Sequence, residues 1–244
     1  MEVIILAGGL GTRLRSVVSE VPKCMAPIAG KPFLWYLLQY LKRYDVTHLI
    51  LSVGYLREVI FEWIEQNRKE LPFDIDYAVE ETPLGTGGGI RLAMQMVRGD
   101  SAIILNGDTF FDVDLNSLSA HCDRRHPEAQ LAMALKPMQH FDRYGTVVTD
   151  GDGRILEFRE KRPCEEGLIN GGVYWLRNTP DSRPQSLFYQ LSGKFSFETE
   201  VLAKHCGPEG CLRGLVQDGY FIDIGIPEDY RRAEQELPKM FEQV

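Results

Sequence analysis

The chain has 244 residues, 44% of them hydrophobic and 25% charged, with a formal net charge of -8. That size and composition can bury one large core, and nothing in it suggests intrinsic disorder. The acidic balance argues against nucleic-acid or anionic-membrane partners, which reward clustered Lys and Arg, but leaves a small anionic substrate open, because phosphate sites use local backbone N–H groups and one or two bases.

The opening run Val3-Ile4-Ile5-Leu6-Ala7 is too short to cross a membrane and lacks the basic start of a signal peptide, so a buried first strand is expected. Pro32 stands where a first helical residue is expected, with Leu34, Leu37, Leu38 and Leu41 following on one helical face. His48 to Val53 predicts a second strand, and Leu56, Val59, Ile60, Trp63 and Ile64 a second helical stripe. Phe73, Ile75, Tyr77 and Val79 alternate as a strand. Ile90, Ala93, Met94 and Val97 mark the next helix, and Ala102 to Leu105 a fourth strand that ends in Asn106-Gly107-Asp108. Short apolar runs alternating with helical periodicity predict a mostly parallel sheet with helices on both faces.

Farther on the pattern turns to strands and hairpins. Leu131, Met133 and Leu135 alternate, and Gly151-Asp152-Gly153 turns between Thr146-Val147-Val148 and Ile155 to Phe158. Ile169 to Leu176 and Tyr220 to Ile224 predict further strands, and Pro227 opens a last helix through Leu237. Without repeats or low-complexity linkers, one α/β domain is expected over about residues 1–240. Its halves, about 1–115 and about 116–240, are expected to share a core and face each other across a cleft. The five cysteines, Cys24, Cys122, Cys164, Cys206 and Cys211, are scattered and form no C-x-x-C pair. Neither a disulfide framework nor a zinc site is expected, and a reducing cytoplasm fits. The five histidines are equally dispersed.

The most informative segment follows the first strand: Leu6-Ala7-Gly8-Gly9-Leu10-Gly11-Thr12-Arg13-Leu14, with Pro22-Lys23 a short loop later. Glycines there let the backbone approach a polyphosphate, while Arg13 and Lys23 can neutralise charge on it. The common nucleotide motifs fail: a P-loop needs Gly-Lys-Ser/Thr, and the dinucleotide fingerprint wants Gly where Leu14 stands. An ordinary Gly-rich turn is the plainer alternative for this segment alone.

This segment, followed by Pro22-Lys23-Cys24-Met25-Ala26-Pro27-Ile28 and Gly30-Lys31-Pro32, resembles the signature of the sugar nucleotidyltransferase family, and the resemblance extends from Ile5 to Tyr230. Cys24 stands where that family usually has a second proline. The resemblance implies a Rossmann-like, mostly parallel mixed sheet flanked by helices, the nucleotide-diphospho-sugar transferase fold, with a smaller β-rich sugar-binding part. It implies that Leu6, Gly8, Gly9, Gly11, Thr12 and Arg13 bind nucleotide, and that Glu80 and Gly85, in Glu80-Glu81-Thr82-Pro83-Leu84-Gly85, read the base. A carboxylate only accepts hydrogen bonds, so Glu80 suits guanine, whose N1–H and N2–H₂ donate on one edge, better than uracil. A solvated strand-end acid is the alternative.

The resemblance further implies that Asp108 and Asp223 hold Mg²⁺, a hard cation that shares phosphate oxygens. On the sugar side it implies Gly145, Glu160, Lys161, Asn170 and Gly172, with Lys161 on the sugar phosphate; by residue type alone, Glu160-Lys161 is an ordinary surface pair. Phe141 to Val147, Leu168 to Tyr174, Lys194 to Glu198 and Tyr220 to Gly225 resemble the heptose 1-phosphate guanylyltransferase branch of the family, in which Glu198 also lies near the sugar. The length agrees, since longer relatives often add a C-terminal β-helix.

The implied reaction moves GMP from GTP to D-glycero-α-D-manno-heptose 1-phosphate for bacterial surface-polysaccharide or S-layer glycan synthesis, with Arg13, Lys23, Asp108 and Lys161 as the catalytic set. Positioning and charge neutralisation suffice, since the attacking phosphate is already anionic. Mannose or another hexose 1-phosphate as acceptor, UTP as donor, a non-catalytic regulatory relative and a molybdopterin nucleotidyltransferase stay as alternatives. Oligomeric state, a homodimer included, is left open.

Overall fold

The computed structural model describes residues 1–9 and 21–241. Strand β1 (Glu2–Leu6) comes first, and a 3-10 turn at Lys23–Met25 precedes a hairpin of two short strands, β2 (Pro27–Ile28) and β3 (Lys31–Pro32). Helix α1 (Phe33–Leu41), β4 (His48–Val53), α2 (Arg57–Gln66), β5 (Asp74–Val79), α3 (Gly85–Met94) and β6 (Ser101–Asn106) complete the expected βαβ alternation. Next come β7 (Thr109–Phe111), α4 (Leu115–Ala120), β8 (Leu131–Phe141), the hairpin β9 (Thr146–Thr149) and β10 (Ile155–Arg159), and β11 (Cys164–Arg177). A π-helical turn at Glu198–Leu202 runs into the short α5 (Ala203–His205), followed by β12 (Leu212–Val216), β13 (Phe221–Asp223) and α6 (Pro227–Phe241).

The main sheet runs β10-β9-β11-β6-β1-β4-β5, with β8 against β11 and β12 against β8. β1 pairs in parallel with β4 and β6, and β4 with β5, while β11 joins β6 antiparallel. The sheet is therefore mixed, with a parallel nucleus. Its central strands are apolar on both faces because both are covered. Ile5, Leu51 and Leu105 enter one core with α1, α2 and α6; Ile4, Ile50 and Ile104 enter the other with α3 and Phe197.

Several boundaries depart from the sequence pattern. Pro32 does not open α1: it is extended (ψ 149°), and Phe33 begins the helix because its N–H donates to the Ala26 carbonyl at 2.9 Å. Leu131, Met133 and Leu135 do share a face, but Ala132 and Ala134 between them are buried in the opposite core rather than solvated. The strand expected at Ile169 to Leu176 is the C-terminal part of the longer β11, which carries a register break between Asn170 and Tyr174. The final helix does not stop at Leu237. It continues through Pro238 to Phe241, whose ring is buried against Trp35, Tyr36 and Phe110.

The edge strand β12, the short strands β2, β3 and β7, and the short helices α4 and α5 went unforeseen. The strand expected at Tyr220 to Ile224 is β13, and it pairs with β7 in a separate two-stranded sheet whose antiparallel register sets Asp223 opposite Thr109, with the Ile224 N–H donating to the Asp108 carbonyl at 3.0 Å.

Candidate active site

A cleft of about 960 Å³ opens over the C-terminal ends of β1, β4 and β6, reached by Leu6, Ser52 and Asn106. Open parallel sheets place ligands here because strand ends and following loops expose unpaired backbone groups. Gly145 and Thr146 of the β9 region, Arg159 of β10, Asn170 of β11 and the segment from Lys194 to Ala203 form its other wall. Leu6, Gly8, Gly9, Lys23, Glu80, Gly85, Asp108, Gly145, Glu160, Lys161, Asn170, Gly172, Glu198 and Asp223, expected at the site from sequence, all line it. Gly11, Thr12 and Arg13 lie outside the described residues.

Two remote acids meet at the centre. Asp108 occupies the turn between β6 and β7, and the pairing of β13 with β7 brings Asp223 beside it. The Lys23 ammonium lies 2.5 Å from Asp108 Oδ2 and 3.6 Å from Asp223 Oδ1. Sequence alone put Lys23 on phosphate; here it bridges the acids, because two carboxylates this close attract the nearest cation. Asp223 is pushed above the ordinary carboxylate range by burial and then by the Asp108 charge, against the pull of Lys23 and of the Gly225 N–H, which donates to Oδ1 at 2.7 Å. The adjacent Cys24 is buried, and desolvation, aided by the Asp108 charge, pushes its thiol up to about 12, which removes it as a nucleophile.

Glu80 follows β5, half-buried. Its Oε2 accepts the Leu84 N–H at 2.8 Å, so one oxygen holds the turn into α3, while Oε1 lies 3.5 Å from Ser52 Oγ. Burial raises its pKa, opposed by those two hydrogen bonds. A Cβ on Gly89 would come within 2.7 Å of Oε1, so small residues leave room around this carboxylate. Gly85 adopts φ +72°, and any Cβ there would sit 2.6 Å from the Phe195 carbonyl oxygen. Its glycine is required by packing as well as by access to the cleft.

The far wall is partly engaged within the protein. Asn170 Oδ1 accepts the Gly172 N–H at 3.0 Å and its Nδ2 donates to the Tyr174 hydroxyl at 2.8 Å, which fixes the amide's orientation. Glu198 Oε2 accepts from the Thr86 and Ser196 hydroxyls, each at 2.9 Å. Glu160 and Lys161 stand exposed at the rim past the end of β10.

Sequence reasoning missed Arg143, Tyr144, Arg159 and Lys194, which also line the cleft. Their signal was weak, since isolated bases beside aromatics are ordinary surface composition. With Lys23 and Lys161 they give the cleft five described bases against the five acids Glu80, Asp108, Glu160, Glu198 and Asp223. The cleft thus escapes the acidity of the whole chain, and suits an anionic ligand.

This constellation on this sheet defines a nucleotidyltransferase. The nucleotidyl transferase family model matches residues 2–240, and the chain belongs to that family. It is 47% identical over 239 residues to the D-glycero-alpha-D-manno-heptose 1-phosphate guanylyltransferase of Aneurinibacillus thermoaerophilus, covering 97% of this chain and 98% of that one. The Campylobacter jejuni protein of the same name is 43% identical over 232 residues, 94% of this chain and 97% of its own. HddC from Yersinia pseudotuberculosis, solved in complex with GMP-PN, superposes with a TM-score of 0.83 at 35% identity, covering 96% of this chain and 98% of that chain. The inositol-1-phosphate CTP transferase from T. maritima, 18% identical with a TM-score of 0.70, shares the fold.

Proposed function

We propose that this enzyme transfers GMP from GTP to D-glycero-α-D-manno-heptose 1-phosphate and releases pyrophosphate, supplying an activated heptose for bacterial surface glycans. The observation that carries the reaction type is the convergence of Asp108, Asp223 and Lys23 at the sheet's C-terminal end. The heptose and the guanine base are favoured by the two relatives above 40% identity and by the GMP-PN complex of HddC.

The residues present suit Mg²⁺. Asp108 and Asp223 offer hard oxygens aimed at one point, and among the described residues no third His, Cys, Asp or Glu joins them, which leaves coordination positions for phosphate oxygens and water. When bound, the ion would neutralise phosphate charge. In this reading Gly8, Gly9, Gly11, Thr12 and Arg13 hold the triphosphate, and Glu80 Oε1 takes the guanine N–H donors. Lys161 meets the sugar phosphate, while Gly145, Glu160, Asn170, Gly172 and Glu198 meet sugar hydroxyls. The attacking phosphate is already ionised, so the side chains need only hold the two substrates in line and stabilise the charge that develops. Five free cysteines suit a reducing cytoplasm, and among the described residues no helix is long and apolar enough to cross a membrane.

The test is pyrophosphate release, crossing GTP, UTP, CTP, ATP and dTTP with heptose, mannose and glucose 1-phosphates. Turnover should peak with GTP and the heptose, and Glu80→Gln should raise the GTP KM roughly tenfold by turning one acceptor into a donor. A peak with UTP defeats the Glu80 argument. Preference for mannose 1-phosphate defeats the sugar assignment while leaving the reaction class intact.

A further inference from the structure

Arg143 lines the cleft, as do Tyr144, Gly145 and Asp223. Its Nη2 makes both of the hydrogen bonds the guanidinium has among the described residues, donating to the Asp229 carboxylate and, at 3.0 Å, to the Tyr144 hydroxyl, while Cζ lies 5.4 Å from the centroid of the Tyr144 ring. A guanidinium carries five N–H groups, so the three on Nε and Nη1 have no hydrogen-bond partner among the described residues. The pair is lopsided. The Asp229 side chain is 9% exposed while that of Arg143 is 38% exposed, so the anion is at the back and the cation at the cleft.

Asp229 is built for this posture. It lies in the first turn of α6, where the helix dipole favours a carboxylate, and a second base, Arg232, reaches its other oxygen at 3.2 Å. The Tyr144 ring lies edge-on to Phe221, with centroids 5.9 Å apart, which backs the aromatic group to which Arg143 donates. An ion pair whose only task was to tie α6 to the β8-β9 connection would have no need to leave three donors unused on a side chain that lines the cleft.

We propose that Arg143 binds the phosphate of the sugar 1-phosphate acceptor, and that Asp229 is the positioning residue that holds it there. This rests on the reaction assigned above: Arg143 lines the same cleft as Asp223, given to the metal, and Gly145, given to the sugar, and the acceptor's phosphate has to lie between those two groups. Three forked N–H donors suit a phosphate better than a point charge does. Lys161 then meets the phosphate from the rim and Arg143 from the depth of the wall.

The test is steady-state pyrophosphate release by the full chain, with GTP and heptose 1-phosphate varied separately, alongside thermal melting. Arg143→Met should raise the acceptor KM by roughly tenfold or more while the GTP KM stays within about twofold. Arg143→Lys, which keeps the charge and loses the fork, should recover part of that loss. Asp229→Asn should show the same acceptor-selective rise at smaller size with the melting temperature nearly kept. An unchanged acceptor KM in Arg143→Met overturns the proposal, as does a parallel rise of both KM values in it. If Asp229→Asn fails to fold, the two Arg143 variants decide the question. A wild-type enzyme that turns over no sugar 1-phosphate overturns the underlying reaction instead, and is told apart by that.

Discussion

At the centre of the cleft a single ammonium, that of Lys23, faces two carboxylates. Lys23 belongs to a 3-10 turn whose neighbours Cys24 and Met25 are buried, so its position is set by packing rather than by a flexible tether. The lysine was legible in the sequence as a cation for phosphate. Its hold on Asp108 and Asp223 was not, because the partners come from segments far away in the chain. Lys23→Ala should lower kcat by about 10²–10³ with little change in melting temperature, since it removes charge stabilisation from a partly open site.

Among the elements, β11 carries an irregularity inside the site. Its register breaks between Asn170 and Tyr174, where Gly172 adopts φ +72° and the Asn170 amide spans the break. A Cβ on Gly172 would fall 2.7 Å from Asn106 Nδ2, at the end of the neighbouring β6. Gly172→Ala should cost about 1–3 kcal/mol in denaturant unfolding, and should weaken acceptor binding by shifting Asn170 and Asn106 together. Stability equal to the wild type's would show that the break tolerates a side chain. The Asn170-Gly171-Gly172 run marked the place in the sequence, but as a sugar contact. The clash that demands glycine depends on β11 pairing with β6, a long-range contact that no local pattern reveals. Pro32 shows the same effect in reverse: its preference for a first helical turn gives way to the backbone hydrogen bond between Phe33 and Ala26.

For the molecule as a whole, α6 links the site to the rest of the fold. Its Tyr230 hydroxyl donates to the Pro27 carbonyl, in the hairpin just after Lys23, and its Asp229 holds Arg143. The far end is anchored by Phe241, which meets Tyr36 and Phe110 edge-to-face with centroids 5.5 and 5.7 Å apart. Phe241→Ala should cost about 3–5 kcal/mol of stability, read by chemical denaturation, while kcat and both KM values at a permissive temperature stay near wild type. Loss of activity without loss of stability would mean that α6 transmits more than support. Along the chain, the periods of 3.6 and 2, the glycines after β1 and the isolated acids after strands were local signals. They determined the α/β class, the order of most elements and the family resemblance without any tertiary information. Tertiary structure alone decided that β13 pairs with β7 and so sets Asp223 against Asp108, that Lys23 lies between them, and that Arg143 turns into the cleft. The physical reason is that hydrophobic periodicity reports which face of an element is buried, whereas the meeting of distant polar groups depends on strand register and helix docking, which are set by the packing of the whole core.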